Sequence, residues 1–138
     1  MGANSYGVGL APWVCTAPDH WIFEGTGMKK GDSIPELVGW EYHGPPFTSG
    51  YKDFTVLAEG NVHLFNGEPT TRQYAATIYV APKGNFVFNA GTCWWTKLLS
   101  SPPGFMEPPY RYFREGDERV RRMTKNLLDK MISRYIKR

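Results

Sequence analysis

The sequence contains few groups that could cross-link the chain or anchor it. Among 138 residues only Cys15 and Cys93 are cysteines, too few for a disulfide framework, and they form no CxxC motif. No stretch approaches the roughly 18 consecutive apolar residues of a membrane span, so a membrane-spanning chain is excluded. The amino terminus lacks the basic start and apolar run of a secretory signal, and we therefore expect a cytoplasmic protein.

Motifs for metal and nucleotide binding are also scarce. The three histidines, His20, His43 and His63, include no pair at HxH or HxxxH spacing. Neither a P-loop nor a complete GxGxxG is present. We expect no metal site within this chain, and nucleotide binding has little support.

Aromatic residues, glycine and proline are abundant. Aromatic residues make up 15% of the chain, which also contains 15 Gly and 11 Pro, a mixture typical of many short strands joined by tight turns. The hydrophobic share of 41% and charged share of 21% are ordinary for a globular protein. The length predicts a single domain over residues 1–138.

The carboxy-terminal segment has the periodicity of an amphipathic helix. We predict helix over 118–136, with Asp117 as its N-cap. Residues 117–138 hold eight basic against three acidic residues, but no nucleic-acid-binding motif accompanies them, so nucleic-acid binding is disfavoured. The apolar face expected to meet the core comprises Val120, Met123, Leu127, Leu128, Met131, Ile132, Tyr135 and Ile136.

Strand signals precede this helix. A β-hairpin is predicted over 74–89, with one strand from Tyr74 to Val80, a turn containing Pro82 and Gly84, and a second strand from Phe86 to Asn89. The fold class is therefore α/β or α+β, a mixed sheet of about five to six short strands closed by the carboxy-terminal helix. Further strand candidates are Trp13–Cys15, Trp21–Phe23, Val38–Tyr42 and Phe54–Ala58.

Cys93 follows a predicted strand and precedes a possible short helix capped by Thr92, where a helix dipole could activate a thiol. Trp94 and Trp95 beside it favour instead a buried, inert cysteine, although they could also contact a substrate. His20 lies on a turn four residues before Glu24. The candidate catalytic residues are His20, Glu24, Glu41 and Cys93, and the candidate substrate-binding residues are Trp94 and Trp95.

A long segment without periodicity runs from Ser100 to Gly116 and contains two Pro-Pro pairs. Its large apolar residues have no pattern that would pack them internally, so we expect them at an interface. The expected partner is another copy of the chain or a second polypeptide. The predicted interface residues are Phe105, Met106, Tyr110, Tyr112 and Phe113.

Several short strings, spread over roughly residues 18 to 136, resemble the C-terminal region of the N,N-dimethylformamidase large-subunit family. The resemblance implies an α/β region like that of class I glutamine amidotransferases, with the last helix closing one side of a sheet. The strings are His20–Met28, Gly31–Asp32, Val38–Glu41, Phe86–Thr92 with Trp95, and Val120–Asp129.

Enzymes of that family hydrolyse a small amide to an acid and an amine in a multi-subunit assembly, with a mononuclear iron held by tyrosine and glutamate side chains. No string here aligns with the iron-ligand motifs, so we expect no cofactor in this chain and iron ligands outside it. Glu41, Tyr42 and Tyr51 have suitable ligand types only in the generic sense.

Two functions remain open. The chain could be a subunit or detached domain of a hydrolase that cleaves a small amide C–N bond together with a partner chain, supplying scaffold and pocket wall rather than the metal. Alternatively, it could be a non-catalytic binding or structural module of the same fold.

Overall fold

Five strands pair into one antiparallel sheet in the computed structural model, which describes residues 6–46, 54–100 and 116–135. The strand order is β2-β1-β3-β4-β5. The elements are β1 (Tyr6–Val14), the 3₁₀ helix η1 (Trp21–Phe23), β2 (Ser33–His43), β3 (Phe54–His63), β4 (Pro69–Val80), β5 (Phe86–Asn89), the 3₁₀ helix η2 (Trp95–Leu98) and α1 (Glu118–Tyr135).

Strand β2 pairs along nearly its whole length with β1, from Tyr6↔His43 to Val14↔Ser33. The register shifts between Ala11 and Trp13, where β2 contains extra residues. One of them, Glu36, has a φ of 56°, in the left-handed region that residues other than glycine rarely occupy. The ladder is therefore interrupted by a bulge, and this bulge forms part of a cleft described below.

The sheet curls until the chain following β5 meets β2. The backbone N–H of His43 donates to the carbonyl of Gly91 at 3.1 Å, and the N–H of Cys93 donates to the carbonyl of Glu41 at 3.3 Å. Gly91 has a φ of 74°, and a Cβ there would lie 2.7 Å from the carbonyl oxygen of Ala75. Glycine is therefore required where the chain leaves β5 and turns toward β2.

The core lies on the inner face of the curled sheet. Trp13 is fully buried, and its ring centroid lies 6.0 Å from that of Phe23 and 5.8 Å from that of Trp95. Tyr74 crosses the core to β1, where its hydroxyl donates to the carbonyl of Pro12 at 2.8 Å and accepts from the N–H of Val14 at 2.7 Å. Burial raises the pKa of Tyr74, so the phenol stays neutral and both hydrogen bonds persist across the physiological range.

Helix α1 confirms the helix predicted from periodicity. The side chain of Asp117 accepts a hydrogen bond from the N–H of Arg119 at 2.9 Å, as expected for an N-cap. Val120, Met123 and Leu127 are buried in the core. Among the described elements, α1 contacts η1 and η2.

The prediction that the whole apolar face of α1 meets the core is wrong for its second half. Leu128, Met131 and Ile132 are between 44% and 56% exposed. Contact with η1 continues through Asn126 to Lys130, whose Nζ lies 5.5 Å from the Trp21 ring centroid, so the three residues are exposed because they lie off the side of the helix that meets η1. That α1 closes the sheet stays a prediction.

The predicted hairpin is confirmed, because β4 and β5 pair from Thr77↔Asn89 to Val80↔Phe86. The prediction of a mixed sheet is wrong, since every strand pairing among residues 6–46 and 54–100 is antiparallel. The strand predicted over Trp21–Phe23 is wrong, because this segment forms η1. No helix in the described part of the chain is long and apolar enough to cross a membrane.

Candidate functional site where β2 meets residues 91–93

The contact between β2 and the chain after β5 creates a polar surface on the outside of the sheet. Tyr42 is buried in the core and forms an isolated bridge with Thr92. Because side chains alternate along a strand, Glu41 and His43 point to the outer face, and Cys93 shares that face as the neighbour of Glu41 across the strands. We call Glu41, His43, Asn89 and Cys93 the junction site.

A hydrogen-bond network fixes the imidazole of the junction site. Nδ1 of His43 lies 2.9 Å from Oδ1 of Asn89, and the N–H of Gly91 donates to the same oxygen at 3.0 Å. Since the Gly91 N–H requires an acceptor, this atom is the amide oxygen, and Nδ1 of His43 must be the donor. The neutral imidazole therefore carries its lone pair on Nε2, where it can accept a proton or a hydrogen bond.

Asn89 has further capacity to donate. It is 7% exposed, and its Nδ2 has no hydrogen-bond partner among the described residues. Thr77, directly opposite on β4, is 2% exposed, and its Oγ1 likewise has none. Two buried polar atoms on paired residues without partners among the described residues are uncommon in a folded protein and require a partner such as water, an ion or a polar group.

Cys93 is exposed, so the expectation of a buried thiol is wrong. Its Sγ lies 3.3 Å from the carbonyl oxygen of Gly39. Of the two tryptophans that favoured burial of the thiol, Trp94 is itself buried with its ring packed on Gly39, where a Cβ would lie 2.0 Å from a ring atom. Trp94 thus occupies the space that Gly39 leaves, and Cys93 stays at the surface.

The candidate substrate-binding residues Trp94 and Trp95 are 5% and 8% exposed. Nε1 of Trp95 donates to Oγ1 of Thr124 on α1 at 3.0 Å, and Lys97 Nζ lies 4.7 Å from the Trp94 ring centroid. Both rings therefore join η2 to the rest of the fold. Their contact with a substrate stays a prediction.

His20 and Glu24 lie at η1, apart from the junction site in the topology. Nδ1 of His20 accepts a hydrogen bond from the N–H of Ile22 at 3.3 Å and so caps η1. Burial, with a smaller contribution from the charge of Lys130, lowers the pKa of His20 from its ordinary value of 6.5. Glu24 is exposed, and its carbonyl accepts from Asn126. His20 therefore caps η1, and the backbone of Glu24 is bound by α1.

The described residues do not fit the iron that the resemblance implies. Glu41 and Tyr42 are consecutive on β2 and point to opposite faces, so they cannot share one metal ion. Within the described ranges no group of three or more His, Cys, Asp or Glu is placed to hold a metal ion. Tyr51 and the predicted interface residues Phe105, Met106, Tyr110, Tyr112 and Phe113 lie outside the described residues.

A curled antiparallel sheet with one docked helix and an oriented His–Asn pair on its outer face defines a small α+β domain. The chain belongs to the N,N-dimethylformamidase beta subunit-like, C-terminal family, whose model matches residues 1–110. The match ends before α1, so the string at Val120–Asp129 lies outside it. Neither a search of curated proteins nor a search of solved structures gave a significant match.

Sequence reasoning found two members of the junction site, Glu41 and Cys93, and missed His43 and Asn89. These two are 46 positions apart in the chain, so no local spacing joins them. The Asn89-Ala90-Gly91 string after a strand was the one available signal, because a glycine there indicates a turn that could bring the amide against another strand.

Proposed function

We propose that the chain supplies scaffold and one wall of a substrate pocket to an amide-hydrolysing, dimethylformamidase-like enzyme, and that a partner chain carries the metal. The observation that supports this most is the family match over residues 1–110, since the family's name describes part of an enzyme subunit. The finer assignment to the C-terminal region of the large subunit belongs to the same proposal, as does a cytoplasmic location.

The junction site is the part of the described surface suited to line such a pocket. Nε2 of His43 offers an acceptor held in place by Asn89, and Nδ2 of Asn89 is a donor without a partner among the described residues. An amide substrate presents one carbonyl acceptor, and a primary or secondary amide also presents a donor. Because Nδ2 of Asn89 is buried, the group available to a substrate is Nε2 of His43, which can orient an amide that carries an N–H, while the chemistry of bond cleavage requires groups beyond the described residues.

A glutamine amidotransferase-like architecture is proposed only for the larger assembly. An α/β region of that class needs parallel strands joined by crossover helices. Every strand pairing in the described sheet is antiparallel, and the one α-helix within the described ranges, α1, follows all five strands. The five strands would then flank or extend the α/β region.

The test recovers the full-length chain, tagged and expressed in its source cells, with any polypeptide that stays bound through purification. Release of amine from N,N-dimethylformamide is measured for the recovered assembly and for the chain expressed alone. The proposal predicts activity in the assembly and none in the chain alone. Activity in the chain alone contradicts a scaffold role, and inactivity of both favours the non-catalytic module.

A further inference from the structure

A cleft separate from the junction site lies between the β1–β2 bulge and the turn from β3 to β4. Its volume is about 350 Å³, within the range of small-molecule sites. Leu10 and Ala11 form part of an apolar floor, and Glu36, His63 and Phe65 are among the other lining residues. Leu10 pairs with His63, so the sheet itself joins the two sides of the cleft.

The backbone at Glu36 is strained where it borders the cleft. Its φ of 56° places a residue with a Cβ in the left-handed region, which glycine occupies at less cost. Glu36 is exposed, and no ion pair to its carboxylate is found within the described part of the chain. Glu36 thus supplies an exposed carboxylate to the lining of the cleft.

The other polar atoms at the cleft define what a ligand must offer. Nδ1 of His63 lies 3.2 Å from the carbonyl oxygen of Leu64, so this nitrogen is the donor and the neutral ring keeps its lone pair on Nε2. Glu36 and His63 are thus both acceptors toward a ligand. Oδ1 of Asn66 already accepts from the N–H of Glu68 at 3.1 Å. A ligand that matches Glu36 and His63 must carry N–H or O–H donors.

An aromatic wall completes the cleft. Phe65 lines it and is 39% exposed, and the ring of Trp40 packs against Phe65 from outside, with centroids 6.2 Å apart. Trp40 is the second residue of β2 with a positive φ, at 59°. An aromatic face beside a carboxylate attracts organic cations, because ring quadrupole and carboxylate both favour positive charge.

We propose that this cleft binds a protonated alkylamine, with the ammonium group against Glu36 and His63 and the alkyl group on Phe65 and the floor. The carboxylate of Glu36 is the one formal charge among the lining residues that the structure describes, so an anionic ligand is disfavoured. The proposal rests on the cleft alone and does not depend on the proposed amide hydrolase function.

The experiment titrates the full-length chain with cyclohexylammonium chloride and with cyclohexanol, a neutral molecule of nearly the same shape, and follows backbone amide resonances. Cyclohexylammonium should bind about tenfold more tightly than cyclohexanol, since a charge-assisted hydrogen bond is worth roughly that factor. The resonances that shift should be those of Ala11, Glu36 and Gly67. Equal affinities, or the absence of saturable binding, would overturn the proposal.

Variants separate charge from shape. Glu36→Gln should weaken cyclohexylammonium binding about tenfold and leave cyclohexanol binding unchanged. Phe65→Leu keeps an apolar wall but removes the ring, and should weaken binding of the cation several-fold. Glu59→Gln, at an exposed position on β3 that does not line the cleft, is the matched control. The same loss in Glu36→Gln and Glu59→Gln would contradict a site at the cleft.

Discussion

The side-chain amide of Asn126 donates to the carbonyl of Ile22 at 2.9 Å and to that of Glu24 at 2.8 Å. One residue of α1 thus binds two carbonyl groups in the second half of η1 and at its C-cap, more than 100 positions earlier in the chain. The contact explains why the helix packs on η1 with a defined rotation. It also explains why Trp21–Phe23, an apolar segment with strand-forming residues, becomes a 3₁₀ helix beneath α1.

Replacing this amide should destabilise the fold measurably. Asn126→Ala leaves two carbonyl groups without their donor, and we expect a loss of about 1–3 kcal/mol in the free energy of unfolding. Chemical denaturation of the purified chain measures it. Asn61→Ala, exposed and with one long contact of 3.4 Å to Gln73, is the control and should change stability by less than about 0.5 kcal/mol. Equal effects of the two variants would contradict the docking role of Asn126.

Two neighbouring leucines of α1 test the rotation of the helix. Leu127 is 6% exposed and Leu128 is 53% exposed. Leu127→Ala should cost about 2–5 kcal/mol because it leaves a cavity in the core. Leu128→Ala should cost under about 0.5 kcal/mol. Thermal or chemical unfolding compares the two, and a larger loss for Leu128→Ala would show that the exposed half of the helix is covered in solution.

The bounds of α1 were predicted to within a residue, because its N-cap and the spacing of its apolar residues are local features of the sequence. The β4–β5 hairpin was also predicted from local features, namely two strand-forming segments joined by a turn with Pro82 and Gly84. Strand β1 was predicted only over Trp13–Cys15, because Gly7 and Gly9 interrupt the signal of its first half. Gly9 is needed there because a Cβ would lie 2.4 Å from Val62 Cγ1, a constraint set by a distant strand.

The junction site depends on contacts that sequence spacing does not record. His43 and Asn89 meet because the sheet curls, and the curl requires Gly91 beside Ala75. Exposure of Cys93 depends on Trp94 packing on Gly39 rather than beside the thiol. Each of these is a tertiary contact between residues far apart in the chain, so local residue patterns could suggest the ingredients without their arrangement.

The stability of the chain should depend on the protonation of His20. Its pKa is lowered from 6.5 by burial and by Lys130, so the unfolded chain binds the proton more tightly than the folded chain does. The contribution of neutral His20 is fully present above pH 6.5 and is lost as the pH falls through the lowered pKa of the folded state. Protonation at Nδ1 would also remove the acceptor that caps η1.

His20→Gln cannot titrate and serves as the reference. The difference in unfolding free energy between the original chain and His20→Gln, measured from pH 8 down to about pH 5, should shift against the original chain below about pH 6.5. A difference that is constant with pH would contradict the lowered pKa.

The two cysteines should differ in reactivity toward a thiol reagent. Cys93 is exposed, whereas Cys15 is 1% exposed and burial raises the pKa of its thiol. In the native chain, 5,5′-dithiobis(2-nitrobenzoic acid) should react with one thiol, which mass spectrometry assigns to Cys93. In Cys93→Ser no thiol should react until denaturant is added. Reaction of Cys15 in the native Cys93→Ser chain would show that the core around it is open.

Contact between the junction site and the amide substrate of an assembled enzyme is tested by steady-state hydrolysis of N-methylformamide, which carries the N–H that Nε2 of His43 can accept, by the assembly containing His43→Asn. The side-chain amide of asparagine can still donate from near the position of Nδ1, but it places no acceptor at the position of Nε2. The account predicts that KM rises about tenfold, the effect of one lost hydrogen bond to a buried donor or acceptor, while kcat changes less. Gln73→Ala, at an exposed position on β4, should keep both constants. Unchanged KM and kcat in the assembly with His43→Asn would contradict contact between the junction site and the substrate.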